Sequence, residues 1–274
     1  MAGYSARGAV DESLVYMVQS LSTHGDIILV MDCDVPAPEL DKLRTYVLHA
    51  DAHRHGEYDF GSYKRAYIYA RDTAILSKYD YIYMINDSVY GPTRPIGPYF
   101  ETMESFGVPV FGLVCNPHHE RPHIQSWFIG MRRDIVCTDW FDRFITSVSP
   151  QRDKGAITYL YEQGFTKLIT AQNIAYRCIF SVPGRSIYNN VRHLYRNGMP
   201  FIKKASFTRH NGCLGRQIRY VLSHTDKNVR DAILSSARDS LGDEYIDWLL
   251  TKNPFKILYR NIRYFFHKIR TEKL

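Results

Sequence analysis

Three polar residues that end an apolar run, Asn86-Asp87-Ser88 after Tyr81-Ile82-Tyr83-Met84-Ile85, are the best placed in this sequence to do chemistry. An amide, a carboxylate and a hydroxyl in succession suit a phosphate-bearing or polyhydroxylated ligand, and open α/β sheets bind ligands beyond the carboxyl ends of their strands. The same triplet, followed by Val89-Tyr90-Gly91-Pro92, also reads as a plain strand-to-turn sequence whose side chains bond their own backbone. Asp87 is its one carboxylate and so its one candidate ligand for Mg²⁺ or Mn²⁺, which favour several hard oxygen ligands.

Other segments carry comparable groups. Asp59-Phe60-Gly61-Ser62-Tyr63-Lys64 lies where a loop enters a helix, and a helix start offers free backbone amides to a phosphate. Asp59, Gly61 and Lys64 are candidates to line such a phosphate site; an N-cap aspartate beside a solvated lysine is the alternative. His123, Gln125 and Ser126 precede Trp127-Phe128, a set that offers polar contacts and a stacking face to a sugar ring, or simply a strand with inward-facing groups. Lys203, after Phe201-Ile202, suits a diphosphate or a solvated strand end. His118, His119 and His123 lack the companion carboxylate or cysteine of a recognisable metal site.

These groups need a scaffold. Apolar runs predict strands at 27–31, 80–85, 109–114 and 125–131, and helical spacing predicts helices at 11–23, 38–48, 61–77 and 97–106. A further helix is expected at 153–163, with Gly164 as its C-cap, and late helices at 212–222 and 227–237. Strands alternating with helices predict an α/β fold with a largely parallel sheet, spanning 1–210, and a helical extension over 211–274. In that extension Phe255, Leu258, Ile262, Phe265 and Ile269 form an apolar stripe beside a basic one of Lys256, Arg260, Arg263, His267 and Arg270. This basic amphipathic tail at 252–270 either lies on an anionic membrane face or packs its apolar stripe on the protein.

Composition sets the outer bounds. With 274 residues, 45% apolar and 23% charged, the chain suits one substantial core, neither disordered nor multi-spanning. No apolar run approaches the roughly 20 residues of a membrane span, and the first residues lack a signal's apolar core, so a cytoplasmic location is expected. Five scattered cysteines predict reduced thiols. Of the net +7, residues 252–274 hold seven Lys/Arg against one acid, which leaves 28 against 27 for the rest. A nearly neutral body argues against a nucleic-acid partner.

Taken in order and spacing, Tyr58-Asp59-Phe60-Gly61-Ser62-Tyr63-Lys64, Asn86-Asp87-Ser88-Val89-Tyr90-Gly91-Pro92, His123-Ile124-Gln125-Ser126 and Met199-Pro200-Phe201-Ile202-Lys203-Lys204 resemble the rhamnan synthesis protein F family, bacterial glycosyltransferases that build surface polysaccharides. The resemblance covers most of residues 3–204. It implies a GT-A-like, Rossmann-type sheet flanked by helices, a dTDP- or UDP-sugar donor, and a polyprenyl-linked or oligosaccharide acceptor at the inner membrane face. Rhamnose is the first expectation for the sugar, galactofuranose or another hexose the alternative. In inverting enzymes of this type an acidic residue at a helix start, eleven positions before a closing glycine, acts as base; Asp153 stands so before Gly164, although Arg152 replaces the usual preceding glutamate. The family's first strand precedes the Gly3-Tyr4-Ser5 segment, and here it looks truncated. A non-catalytic sugar-binding or scaffold subunit is the rival reading.

Overall fold

The structure, a computed structural model, describes residues 1–209 and 213–271, with side chains as far as Phe266. Its strands, in chain order, are β1 Ala2–Gly3, β2 Ile28–Met31, β3 His49–Ala52, β4 Tyr81–Ile85, β5 Val89–Tyr90, β6 Val110–Asn116, β7 His123–Ile124, β8 Phe128–Arg132, β9 Tyr176–Ser181 and β10 Ile202–Lys203. The chain forms two compact units. One takes Met1–Val10, Met17–Asp87 and Ile96–Gly184, the other Asp11–Tyr16, Ser88–Pro95 and Arg185–Leu274. The helical extension expected from 211 therefore belongs to a unit that starts at Arg185 and draws in two earlier segments.

The first unit is a mixed α/β structure. β1, β2 and β3 pair in parallel, with Ala2 opposite Val30 and Ile28 opposite His49. A second sheet has the order β4-β8-β6-β7, antiparallel throughout, with β9 parallel to β6. The largely parallel sheet expected from the sequence is thus confined to β1–β3 and the β6–β9 pair. The reason is connection length: β6 and β8 are joined by 117–127, which carries only the short β7 and no crossover helix, so the chain can only return antiparallel. The two sheets meet where Ala2 bridges Asn86 and the Asp87 amide donates to the Ala2 carbonyl at 3.1 Å. Between sheet and helices lies a core that includes Phe60, Val110, Ile129, Met131, Phe141 and Phe165, each nearly or fully buried.

β1 extends only from Ala2 to Gly3, but its pairing starts earlier. The Met1 nitrogen donates to the Ile28 carbonyl at 2.6 Å and the Val30 amide to the Met1 carbonyl at 3.0 Å, continuing the parallel ladder. Beside it lies a cavity of about 670 Å³ lined by Met1, Leu21, Ile28, Ile82, Met84 and Phe100 among others. It runs along the start of β2 and the whole of β4, is mainly apolar, and counts Tyr63 but not Asp59, Asn86 or His123 among its lining residues.

Two helices differ from expectation. The one expected at 38–48 is a short turn at Ala37–Leu40 followed by a 3₁₀ turn at Asp41–Leu43. Only Leu43 of these residues is buried, so no amphipathic face sustains a longer helix. The helix starting at Lys154 does not close at Gly164: it passes through a π-helical stretch at Thr158–Gln163 and continues to Ala171. Gly164 has φ −59°, ordinary helical geometry, and the left-handed residue beyond the helix is Asn173, at φ 55°.

The second unit pairs β5 with β10 antiparallel, Ile202 opposite Tyr90 and Lys203 opposite Val89. Helices Leu214–Ser223, Lys227–Leu241 and Asp243–Leu249 pack Ile218, Val221, Ile233 and Ile246 into its core with Phe207. A terminal helix follows at Pro254–Thr271, as the stripe in the sequence predicts; the side chains of His267, Ile269 and Arg270 lie outside the described residues.

Candidate functional site

The candidate site of the first unit lies where β2, β3 and β4 end. Asp32, directly after β2, is 3% exposed, and its carboxylate accepts the amides of His55 (2.9 Å), Gly56 (2.8 Å) and Tyr58 (3.0 Å). Burial raises its pKa, but these amides and the adjacent His55 outweigh that and hold it below the usual carboxylate value. The bonds shape the loop that launches helix Tyr58–Asp72 and hold Tyr58 at φ 56°. His55 packs under the loop: its Nδ1 accepts the Glu57 amide (3.2 Å) and its Nε2 lies 3.1 Å from the Ser62 hydroxyl. Burial, reinforced by the Arg65 charge, pushes its pKa down to about 4, so the ring is neutral at neutral pH.

Of the residues expected on this helix, Asp59 alone turns toward the end of β4. Its Oδ2 accepts from Asn86 Nδ2 at 2.9 Å, and the N-cap is Glu57 instead. Gly61 provides space: a Cβ there would fall 2.2 Å from Glu57 Cβ and 2.8 Å from the His55 ring. That space admits Glu57, whose carboxylate takes Lys64 (3.1 Å) and Arg65 (2.5 Å). Lys64 also donates to the Val148 carbonyl at 2.6 Å. The structure gives Lys64 this anchoring role and does not present it as a phosphate ligand.

Tyr63, one helical turn after Asp59, connects this edge to the start of β8. It is 3% exposed and donates its hydroxyl to the Ser126 carbonyl at 3.0 Å. Burial raises its pKa well above the usual value, the Asp59 charge adds to this, an Asn86 hydrogen bond opposes it, and Glu162 and Asp87 contribute further. Ser126 is gripped by Glu162, whose Oε2 accepts the Ser126 amide (2.7 Å) and hydroxyl (2.6 Å). Glu162 Oε1 lies 3.7 Å from His123 Nε2, while His123 Nδ1 is committed to the Arg121 carbonyl at 2.8 Å. Glu162 sits in the π-helical stretch, a distortion often found at functional sites.

A family model for rhamnan synthesis protein F matches residues 27–267. The chain belongs to that family. A comparison with curated proteins finds no match. In this rhamnan synthesis protein F member the matched span holds Asp32, Asp59, Asn86, Ser126 and Glu162 together with the terminal helix as far as residue 267.

The remaining expected residues of the family member fall elsewhere. Gln125 and Trp127 satisfy each other, the indole N–H donating to Gln125 Oε1 at 2.8 Å; Trp127 is 3% exposed, so its ring is core and offers a sugar no stacking face. Asp153 is the N-cap of the helix at Lys154, accepts the Ala156 amide at 2.9 Å, and pairs with Arg152 at 3.1 Å on the surface. The Ala156 amide, with Arg152, holds its pKa below the usual value, which opposes a role as base. In the second unit Lys203 donates to the Ser88 hydroxyl at 2.9 Å and both are largely enclosed there. Asp87 is 8% exposed, and among the described residues no three His, Cys, Asp or Glu side chains gather as metal ligands. The residues thus do not fit a cation held by the protein alone. His118 and His119 are exposed, and the five cysteines form no disulfide.

Asp32, His55, Tyr63 and Glu162 were not singled out by motif. Asp32 follows an apolar run just as Asn86-Asp87-Ser88 does, so the same rule finds it; Glu162 carries no local signal, because its partner Ser126 lies 36 residues earlier.

Proposed function

We propose that the protein is a glycosyltransferase with a GT-A-like donor site that moves a sugar, rhamnose first and galactofuranose or another hexose second, from a dTDP- or UDP-sugar to a lipid-linked or oligosaccharide acceptor. Membership of a polysaccharide-synthesis family supports the reading. The observation that carries it is the convergence of Asp59 and Asn86 with the Ser126–Glu162 pair around Tyr63 at strand ends, the edge where such sheets bind nucleotides.

In the proposed reaction an acceptor hydroxyl attacks the sugar C1, the bond from C1 to the diphosphate oxygen breaks, and the nucleoside diphosphate leaves with that electron pair. The hydroxyl proton passes to a carboxylate. Glu162 takes this part better than Asp153, because it is largely enclosed and faces His123, whereas Asp153 lies on the surface paired with Arg152. Asp59 and Asn86 hold the donor sugar or ribose.

The test is incubation of the purified protein with dTDP-rhamnose and with UDP-galactofuranose, with and without a polyprenyl-linked acceptor, following nucleoside diphosphate release. Release that rises with acceptor is expected. Donor binding without release from any donor would favour the non-catalytic subunit instead.

A further inference from the structure

The terminal helix Pro254–Thr271 leaves its most apolar side uncovered. Phe255, Leu258, Tyr259, Ile262, Phe265 and Phe266 are 46% to 81% exposed, and at 100° per residue they share one arc of roughly 120°. A different side attaches the helix to its own unit. Arg260 is 5% exposed and donates to the carbonyls of Leu249 (2.5 Å) and Trp248 (3.1 Å), with its guanidinium 5.4 Å from the Trp248 ring centre; Ile257 and Tyr264 on the same side are half-buried. The apolar stripe therefore does not pack on the second unit.

The helix is also formed in advance. Asn253 caps it, its side chain accepting the Phe255 amide at 2.9 Å and the Lys256 amide at 3.3 Å, and Pro254 opens it. Lys256 and Arg263 border the apolar arc on one side, and the sequence continues with Lys268 and Arg270. Almost all the net charge of the chain is concentrated in this tail. No helix of the described residues is long and apolar enough to cross a membrane.

We propose that this helix lies in the plane of an anionic lipid bilayer, its aromatic side in the acyl boundary and its lysines and arginines among the headgroups. An amphipathic helix with a basic border and a large exposed apolar side is the form that binds such an interface. A second copy of the chain is the less suitable occupant, since joining two such helices brings like charges together, whereas anionic headgroups neutralise them. The inference is independent of the transferase reading, because it uses no residue of the site in the first unit.

Sedimentation of the full chain with vesicles of phosphatidylcholine and phosphatidylglycerol, and with phosphatidylcholine alone, tests it. Binding to the mixed vesicles that weakens with salt is expected. Phe255→Ser/Phe265→Ser should lower it at least about tenfold, and Lys256→Glu/Arg263→Glu should abolish the preference for the anionic lipid. Circular dichroism confirms that both variants remain folded. No binding by the wild-type protein, equal binding by the serine variant, or a wild-type dimer that the serine variant turns into a monomer would each overturn the proposal.

Discussion

Tyr63 and Ser126 are joined by one hydrogen bond, phenol to carbonyl at 3.0 Å, which ties helix Tyr58–Asp72 to the strand-end segment that Glu162 also grips. Tyr63→Phe removes it without creating a cavity and leaves a buried carbonyl short of a donor. The expected loss is about 1–2 kcal/mol, seen as a fall of a few degrees in Tm. Donor turnover should fall as well, since Asp59 and Asn86 are set against the same phenol. A variant with wild-type Tm and wild-type turnover would show that the bond does not position the site.

The carboxylates at 153 and 162 make opposite predictions. Glu162→Gln keeps the shape and the acceptor for Ser126 but cannot take a proton, so transfer should fall by roughly 10²-fold or more with donor affinity nearly unchanged. Asp153→Asn should stay near wild type in both stability and turnover, because asparagine caps a helix as well as aspartate. Single-turnover kinetics on the two proteins decides between them; loss in Asp153→Asn with activity in Glu162→Gln would restore Asp153 as the base.

Gly61 is required for space. A Cβ 2.2 Å from Glu57 Cβ forces the Glu57 backbone or the helix start to move. Gly61→Ala should cost about 1–3 kcal/mol, read as a lowered urea midpoint with an unchanged slope. Wild-type stability would mean that the loop yields easily.

His55 makes stability depend on pH in a defined window. Its folded pKa, about 4, lies below the unfolded value near 6.5, so between these values the unfolded chain binds more protons than the folded one. The His55 contribution to stability is fully present above pH 6.5 and is lost as pH falls toward 4, by an amount on the order of 3 kcal/mol. Denaturation of the wild type and His55→Gln at matched pH values isolates the histidine. Equal pH slopes for the two proteins would show that His55 protonates freely in the fold.

Sequence patterning makes the central strands legible because β2, β4, β6 and β8 are apolar runs, mostly buried in β2, β6 and β8 and half-buried over the first three residues of β4. It misses β3, whose His-Ala-Asp-Ala residues are all half-buried, and the two-residue β5 and β10, which are defined by pairing with each other across more than a hundred residues. At the site, the motif residues Asp59, Asn86, His123 and Ser126 do come together, for they sit at strand ends and at the first turn of a helix. Asp153 is ambiguous in the sequence for a physical reason: an acid before a helix looks the same whether it caps, catalyses or does both, and the structure gives it the hydrogen bond of a cap. Trp127 misleads because an aromatic residue beside polar ones has no exposure written in it.

The Met1 nitrogen, held in the β1–β2 ladder as an amide would be, has a practical consequence for handling the protein. An affinity tag joined to Met1 is threaded into a sheet rather than hung from a surface, and one joined after the terminal helix borders its exposed aromatic side. A label is better inserted at the exposed turn of Gly107, between helix Gly97–Glu104 and β6, where a Cβ meets nothing within 4 Å.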